Sequence, residues 1–271
     1  MLSKPKIVMM FHICIALLLL PTSEVGSQSR DRDYYEKKGE VVWELPTEKK
    51  VIALTFDDGP DRKITPQILS LLKKHNAHAT FFTVGNRIKK NPEIIKQMAL
   101  QHHEISNHTF SHPDLRHLST DQIRKQIQET QNIIQDITGT KPTLFRPPGG
   151  YYSQKVIATA KEMGYLVVMW SWHQDTRDWS DPGVSKIVNK VIKNARNGDI
   201  VLFHDFGGRR EQTVHALEKI LPELEKKGYH FVTVSELIAI RNQYPVKTNL
   251  IHPLSIQKQE PSFKESERSP N

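Results

Sequence analysis

Two adjacent carboxylates close an apolar run in V51-I-A-L-T-F-D-D-G-P60, and their like charges repel unless a cation or separate tasks relieve them. His108 and His112 stand four residues apart in N107-H-T-F-S-H112. On one helical turn both imidazoles reach a single metal ion. One member of the Asp57–Asp58 pair can supply a third ligand, and a set of two histidines and one carboxylate leaves a position open for water. The other aspartate is then free to act as a base. Two histidines at this spacing ordinarily mark a solvated helix face, in a chain with 13 histidines. The aspartates at a second strand end tip the reading to a metal site.

Other reactive residues follow apolar runs in the same way. Arg146 stands between Phe145 and two prolines in F145-R-P-P-G-G150, which suits a rigid carboxylate clamp or a structural salt bridge. His204 follows I200-V-L-F203 and reads as an acid or base near neutral pH, or as a core histidine with a satisfied ring. Asp178, in D175-T-R-D-W179, can orient it. Asp205 is the alternative partner, but adjacent residues of a strand point to opposite faces. Trp179 reads equally as core or as the wall of a sugar groove.

The elements that must position these groups alternate. Apolar strand-like runs occupy 51–56, 79–84, 143–145, 166–170, 199–203 and 229–232, with a short one at 103–105. Amphipathic helical stretches occupy 64–75, 91–100, 119–138, 153–163, 184–196, 211–227 and 234–242. Ser119 with Gln122 reads as a helix start and Gly139 as a stop. Strand–helix alternation implies βα units and a mostly parallel sheet. About seven such units fit an α/β barrel with its chemistry at the C-terminal strand ends, and a doubly wound open sheet is the alternative.

Net charge is +8 and the isoelectric point near 9.4, which fits an anionic wall or membrane surface. No zinc-finger spacing, basic helix or aromatic-plus-basic RNA signature accompanies it, so nucleic acid is not an expected partner. Lys4 and Lys6 precede an apolar run from Ile7 to Leu20, and Val25-Gly26-Ser27 offers a cleavage point. Residues 1–27 therefore read as a secretory signal, with a retained anchor as the alternative. The single cysteine, Cys14, falls in that segment, so the exported chain has no thiol and no disulfide. Residues 28–47 read as a linker, 48–242 as one catalytic domain and 243–271 as a disordered polar tail.

TFDDGP, HTFSH, RPPGG, DTRDW and LFHD occur in this order, and together they resemble the five motifs of the polysaccharide deacetylases, carbohydrate esterase family four. The likeness spans roughly residues 48–240. It implies an α/β fold, a distorted (β/α)7 barrel in a single catalytic domain, and metal-dependent removal of acetyl groups from N-acetylated sugars. By the same resemblance Asp57 is the catalytic base and Asp58, His108 and His112 are the metal ligands. Arg146 holds the base, and His204 is the general acid oriented by Asp178. Trp179 and Leu202 line the pocket for the acetyl methyl. Where the family carries a tyrosine whose backbone N–H faces the oxyanion, this chain has Gly149, and Tyr151 or Tyr152 is left to fill the space. Zinc is the expected metal, with cobalt or nickel suited to the same ligands.

The implied partner is a polysaccharide: bacterial peptidoglycan first, chitin-like glycans second, acetylxylan third. The implied setting is extracellular, secreted or held at the wall or membrane, as a monomer. A silent wall-binding module and a two-carboxylate glycosidase are the competing classes. The first is opposed by the retention of every ionisable motif residue. The second would need no metal.

Overall fold

Every residue of Val51–Asp57 is buried, its terminal aspartate included, and this strand lies deep in the sheet. The computed structural model describes residues 32–246. Eight strands are found there: β1 (Val41–Val42), β2 (Val51–Asp57), β3 (Ala79–Thr83), β4 (Glu104–Asn107), β5 (Leu144–Phe145), β6 (Leu166–Val168), β7 (Ile200–His204) and β8 (His230–Phe231). All strand pairs among them are parallel, in the order β1-β6-β5-β4-β3-β2-β7, with β8 added beside β2. Single contacts bring the two ends of the curl together: Ser171 N–H donates to Ile200 O at 3.0 Å, Leu45 N–H to Gly198 O at 2.9 Å, and Asp175 bridges to Leu202. This is the distorted (β/α)7 barrel, in one domain.

The period-2 alternation of β2 explains why its whole run is apolar yet ends in chemistry. Ile52, Leu54 and Phe56 pack outward against the helices, and Phe56 stacks between Phe81 and Phe203 at 5.0 and 5.5 Å. Val51 and Ala53 belong instead to an inner cluster with Phe82, Leu144, Val168 and Ile200. Val234, Leu237 and Ile238 of α9 (Val234–Gln243) join that cluster and plug it. Thr55 and Asp57 continue the inward face toward the C-terminal ends of the strands, so the interior passes from apolar to polar along one strand.

The remaining helices are α1 (Arg32–Lys37), α2 (Ile64–Lys74), α3 (Gly85–Ile88), α4 (Pro92–Leu100), α5 (Thr120–Thr138), α6 (Gln154–Glu162), α7 (Val184–Asn194) and α8 (Glu211–Lys226). All but α1 and α3 occupy the stretches that periodicity marks. The Ser119–Gln122 capping box is formed, and Gly139 ends α5 with φ 73°.

The linker reading of 28–47 needs correction. Residues 32–47 carry α1 and β1, β1 pairs with β6, and Tyr35, Trp43 and Leu45 are buried. The charged composition of the stretch masked a handful of apolar residues spaced to seal the open edge of the barrel. At the other end the fold runs past 242: α9 reaches Gln243, Thr47 bridges to Pro245, and Thr47 Oγ1 donates to Tyr244 O at 2.7 Å. The signal reading of 1–27 and nearly all of the tail lie outside the described residues. No helix among those described is long and apolar enough to cross a membrane.

Candidate active site

Asp57 ends β2, where the register sets it opposite His204 of β7. Arg146 leaves β5 with its guanidinium fully buried. Its Nη1 donates to Asp57 Oδ1 at 2.6 Å and to Thr55 Oγ1 at 2.9 Å, Nε to Val168 O at 2.9 Å, and Nη2 to Met169 O at 2.7 Å. The plane lies over the Phe82 ring at 4.0 Å. Burial lowers the arginine's pKa and Asp57 draws it back up. An unpaired charge here would cost several kcal/mol, so the pair and its carbonyl partners stand or fall together. Clamp and structural salt bridge are thus one arrangement.

Asp58 departs from the strand with φ 79°, a left-handed conformation that a short polar side chain tolerates. Its Oδ1 lies 3.0 Å from His112 Nε2 and 3.5 Å from His108 Nε2. His108 Nδ1 is 2.7 Å from Arg146 O, and a carbonyl only accepts, so Nδ1 carries the proton and Nε2 of the neutral ring presents a lone pair. Asp58 Oδ1 is buried and has no hydrogen bond among the described residues. The His108 lone pair and the Asp58 oxygen face each other as two acceptors, with His112 Nε2 beside them, and such a set fits a cation.

The expected helical turn over 108–112 is instead a loop, with Thr109 at φ 69° and His112 at φ 58°. The rings still meet, 5.1 Å between centroids. Side chains brace the loop in place of helical bonds. Asn107 Oδ1 accepts from Thr109 N at 2.9 Å, and Thr109 Oγ1 from His112 N at 3.1 Å. Gln126 Oε1, from α5, accepts from Phe110 N at 3.0 Å and Ser111 N at 2.9 Å. Gln126→Ala should therefore weaken the binding of a divalent ion at Asp58, His108 and His112 by up to roughly thirtyfold, read by calorimetry, through the loss of two braces worth about 1 kcal/mol each. Unchanged affinity would show that the loop holds itself.

His204 Nδ1 lies 2.7 Å from Asp178 Oδ1. Asp178 Oδ2 accepts from His204 N at 2.9 Å and from Thr213 Oγ1 at 2.8 Å. Burial lowers the imidazole's pKa, yet the fully buried Asp178 outweighs it and the ring is pushed up to about 9. Asp178 is correspondingly lowered by its histidine against its own burial. Asp205 points away as the strand requires: Oδ2 accepts from Thr65 Oγ1 at 2.6 Å. A Cβ at Gly59 would lie 2.1 Å from that carboxylate, so only glycine fits the turn after the two aspartates.

A family model for polysaccharide deacetylases matches residues 44–168. A curated peptidoglycan-N-acetylglucosamine deacetylase of Bacillus cereus is 52% identical over 211 residues, covering 78% of this chain and 99% of that protein. The chain belongs to the polysaccharide deacetylase family. Among solved structures, the Bc1960 peptidoglycan N-acetylglucosamine deacetylase superposes with a TM-score of 0.71 at 40% identity, over 74% of this chain and 94% of that one. A family 4 acetyl xylan esterase from Clostridium thermocellum, solved with a cobalt ion, gives 0.67 at 37%, over 72% and 93%.

Against the family pattern, the departure at Gly149 has a local cause. Gly149 has φ 62°, and a Cβ there would lie 2.8 Å from the Tyr151 ring. Tyr151 thus takes the space of a side chain at 149. Tyr152 packs inward on Trp43 and Tyr35, at 5.5 and 6.1 Å. Trp179 is 55% exposed, which excludes the core reading, and Leu202 is buried on β7. A second His–carboxylate group, Glu44, His173 and Asp199, has its donors spent internally. Asp199 bonds His173, Gln174 and Arg196 N, and Glu44 bonds Arg32.

Periodicity did not reveal Arg87 of α3, which donates to Asp58 O and stacks on Phe206 at 3.6 Å. Nor did it reveal Arg210 and Gln212, which both donate to Asp178 O. All three act across loops distant in sequence, and no local spacing marks them.

Proposed function

We propose that the chain is a metal-dependent N-deacetylase of bacterial cell-wall polysaccharide, acting on the N-acetylated sugars of peptidoglycan, N-acetylglucosamine foremost, and releasing acetate. The observation that carries this reading is the convergence of Asp58, His108 and His112 on one point beside an arginine-held Asp57. The similarity to peptidoglycan deacetylases supports the substrate.

Amide hydrolysis needs an activated water, a stabilised oxyanion and a proton for the departing nitrogen. A divalent ion held by Asp58, His108 and His112 supplies Lewis acidity, polarising the acetyl carbonyl and acidifying water. Zinc suits the histidine ligands, and cobalt or nickel fit the same donors. Arg146 holds one oxygen of Asp57, while Oδ2 faces His108 Nε2 at 3.9 Å and borders the ligand set. That oxygen takes the proton of the attacking water. The Gly149 N–H steadies the oxyanion. His204, whose proton affinity is raised by Asp178, gives its proton to the amine leaving group. Leu202 and Trp179 receive the acetyl methyl. The reading carries with it an exported, wall-associated monomer.

The test is acetate release by one zinc-loaded sample from peptidoglycan, chitooligosaccharides and acetylxylan. Peptidoglycan should give the highest kcat/KM. Faster release from chitooligosaccharides or acetylxylan would reassign the substrate, and none from any of the three would remove the enzyme reading.

A further inference from the structure

Tyr151 is 47% exposed, unusual for a large ring in an otherwise well-buried fold. Its position is nevertheless fixed. The backbone of Gly149 approaches one edge so closely that no Cβ fits between them. The Arg116 guanidinium lies over the ring at 3.8 Å. Arg116 is fixed in turn: Nε donates to Asp114 Oδ1 and Oδ2 at 3.0 and 3.2 Å, and Nη2 to Oδ2 at 2.6 Å. The stack therefore joins the loop after β4, which carries His112, to the loop after β5, which carries Gly149. It stands at the C-terminal ends of the strands, on the same face as the site.

Resting on the deacetylase reading, we propose that the Tyr151–Arg116 stack is a glycan subsite, on which the N-acetylhexosamine ring next to the one being deacetylated lies. A preformed, partly exposed aromatic face matches the apolar C–H face of a pyranose. Asp114 cancels the charge of Arg116, so the platform offers packing surface rather than an anion hook. It selects a neutral sugar ring, and it favours substrates long enough to reach it. A ring already held in place loses little freedom on binding. Trp179, which follows Asp178, is exposed next to the other half of the machinery. The two aromatics stand on separate site loops, as the walls of a groove would.

The test compares wild type with Tyr151→Ala and Tyr151→Phe on N-acetylglucosamine and its linear pentamer. Two readings are taken: kcat/KM for acetate release, and the pentamer Kd by calorimetry. Tyr151→Ala should lower the pentamer-to-monomer ratio of kcat/KM about tenfold, chiefly through KM, and raise the pentamer Kd by a similar factor. Tyr151→Phe should keep both near wild type. A Tyr151→Ala ratio and Kd within twofold of wild type would overturn the subsite, even if both rates fell together, because an equal loss reports a loosened Gly149 loop. The Kd needs no turnover. A wild type that releases no acetate, yet loses pentamer binding on Tyr151→Ala, would sink the deacetylase reading and leave the subsite standing.

Discussion

Replacing Asp57 by asparagine should lower acetate release by roughly a thousandfold, within the range of losing a positioned general base. The shape of the residue is kept, and the amide oxygen still accepts from Arg146 Nη1. What disappears is the basic oxygen and the charge that balances a fully buried guanidinium. Stability should therefore fall too, by up to about 3–5 kcal/mol, because breaking a buried pair leaves one charge uncompensated. The proposed ligands Asp58, His108 and His112 are untouched, so affinity for a divalent ion, probed with zinc, should stay within a fewfold of wild type. Calorimetric zinc binding, thermal melting and acetate release on one preparation read all three effects. A variant that keeps a tenth of the activity would show that Asp57 is not the base. One that loses zinc as well would show that the two aspartates share a single task.

Asp178→Asn should move the titration of His204 from about 9 toward the ordinary imidazole value of 6.5. A raised histidine pKa means the protonated form is stabilised in the fold. The acid is fully present below 6.5 and lost as pH rises through about 9. In the metal-free protein that loss begins more than a unit lower with asparagine, so the ring should be largely uncharged at about pH 8, where the wild-type ring keeps most of its proton. The linked stability has the same sign: it is complete below 6.5 and lost as pH rises through about 9. NMR titration of the His204 ring in metal-free protein gives the clearest reading, since a cation at Asp58 would itself move the midpoint down. The alkaline limb of kcat/KM should shift the same way. A ring midpoint unchanged in Asp178→Asn would mean that the 2.7 Å contact does not set the proton affinity.

The strands and long helices were legible in the sequence because each must bury one face, and burial writes a period. The run from Val51 shows apolar residues on both faces of a parallel strand, and its end at Asp57 is where the interior turns polar. The positions of Asp57, Asp58, His108, Arg146 and His204 were legible for the same reason, since each ends or directly follows a strand, whereas Asp178 lies ten residues past one. Two kinds of feature were not. The segment 32–47 is charged on average and hides Tyr35, Trp43 and Leu45, whose burial depends on an edge built by residues far along the chain. The loop 108–112 has helical spacing, but its hydrogen bonds go to Asn107, Thr109 and Gln126, and side-chain bracing leaves no period. The Asp57–Asp58 pair shows both sides. Its place at the end of a buried strand was readable, while the way the two part, by a left-handed Asp58 and a glycine pressed on Asp205, came only from the fold.

The most direct test of the account is acetate release from peptidoglycan before and after chelation. Activity should vanish with EDTA and return when zinc or cobalt is restored, in wild type but not in Asp58→Asn. Release that survives complete chelation, with Asp58→Asn as active as wild type, would contradict the claim that Asp58, His108 and His112 hold the ion on which the reaction depends.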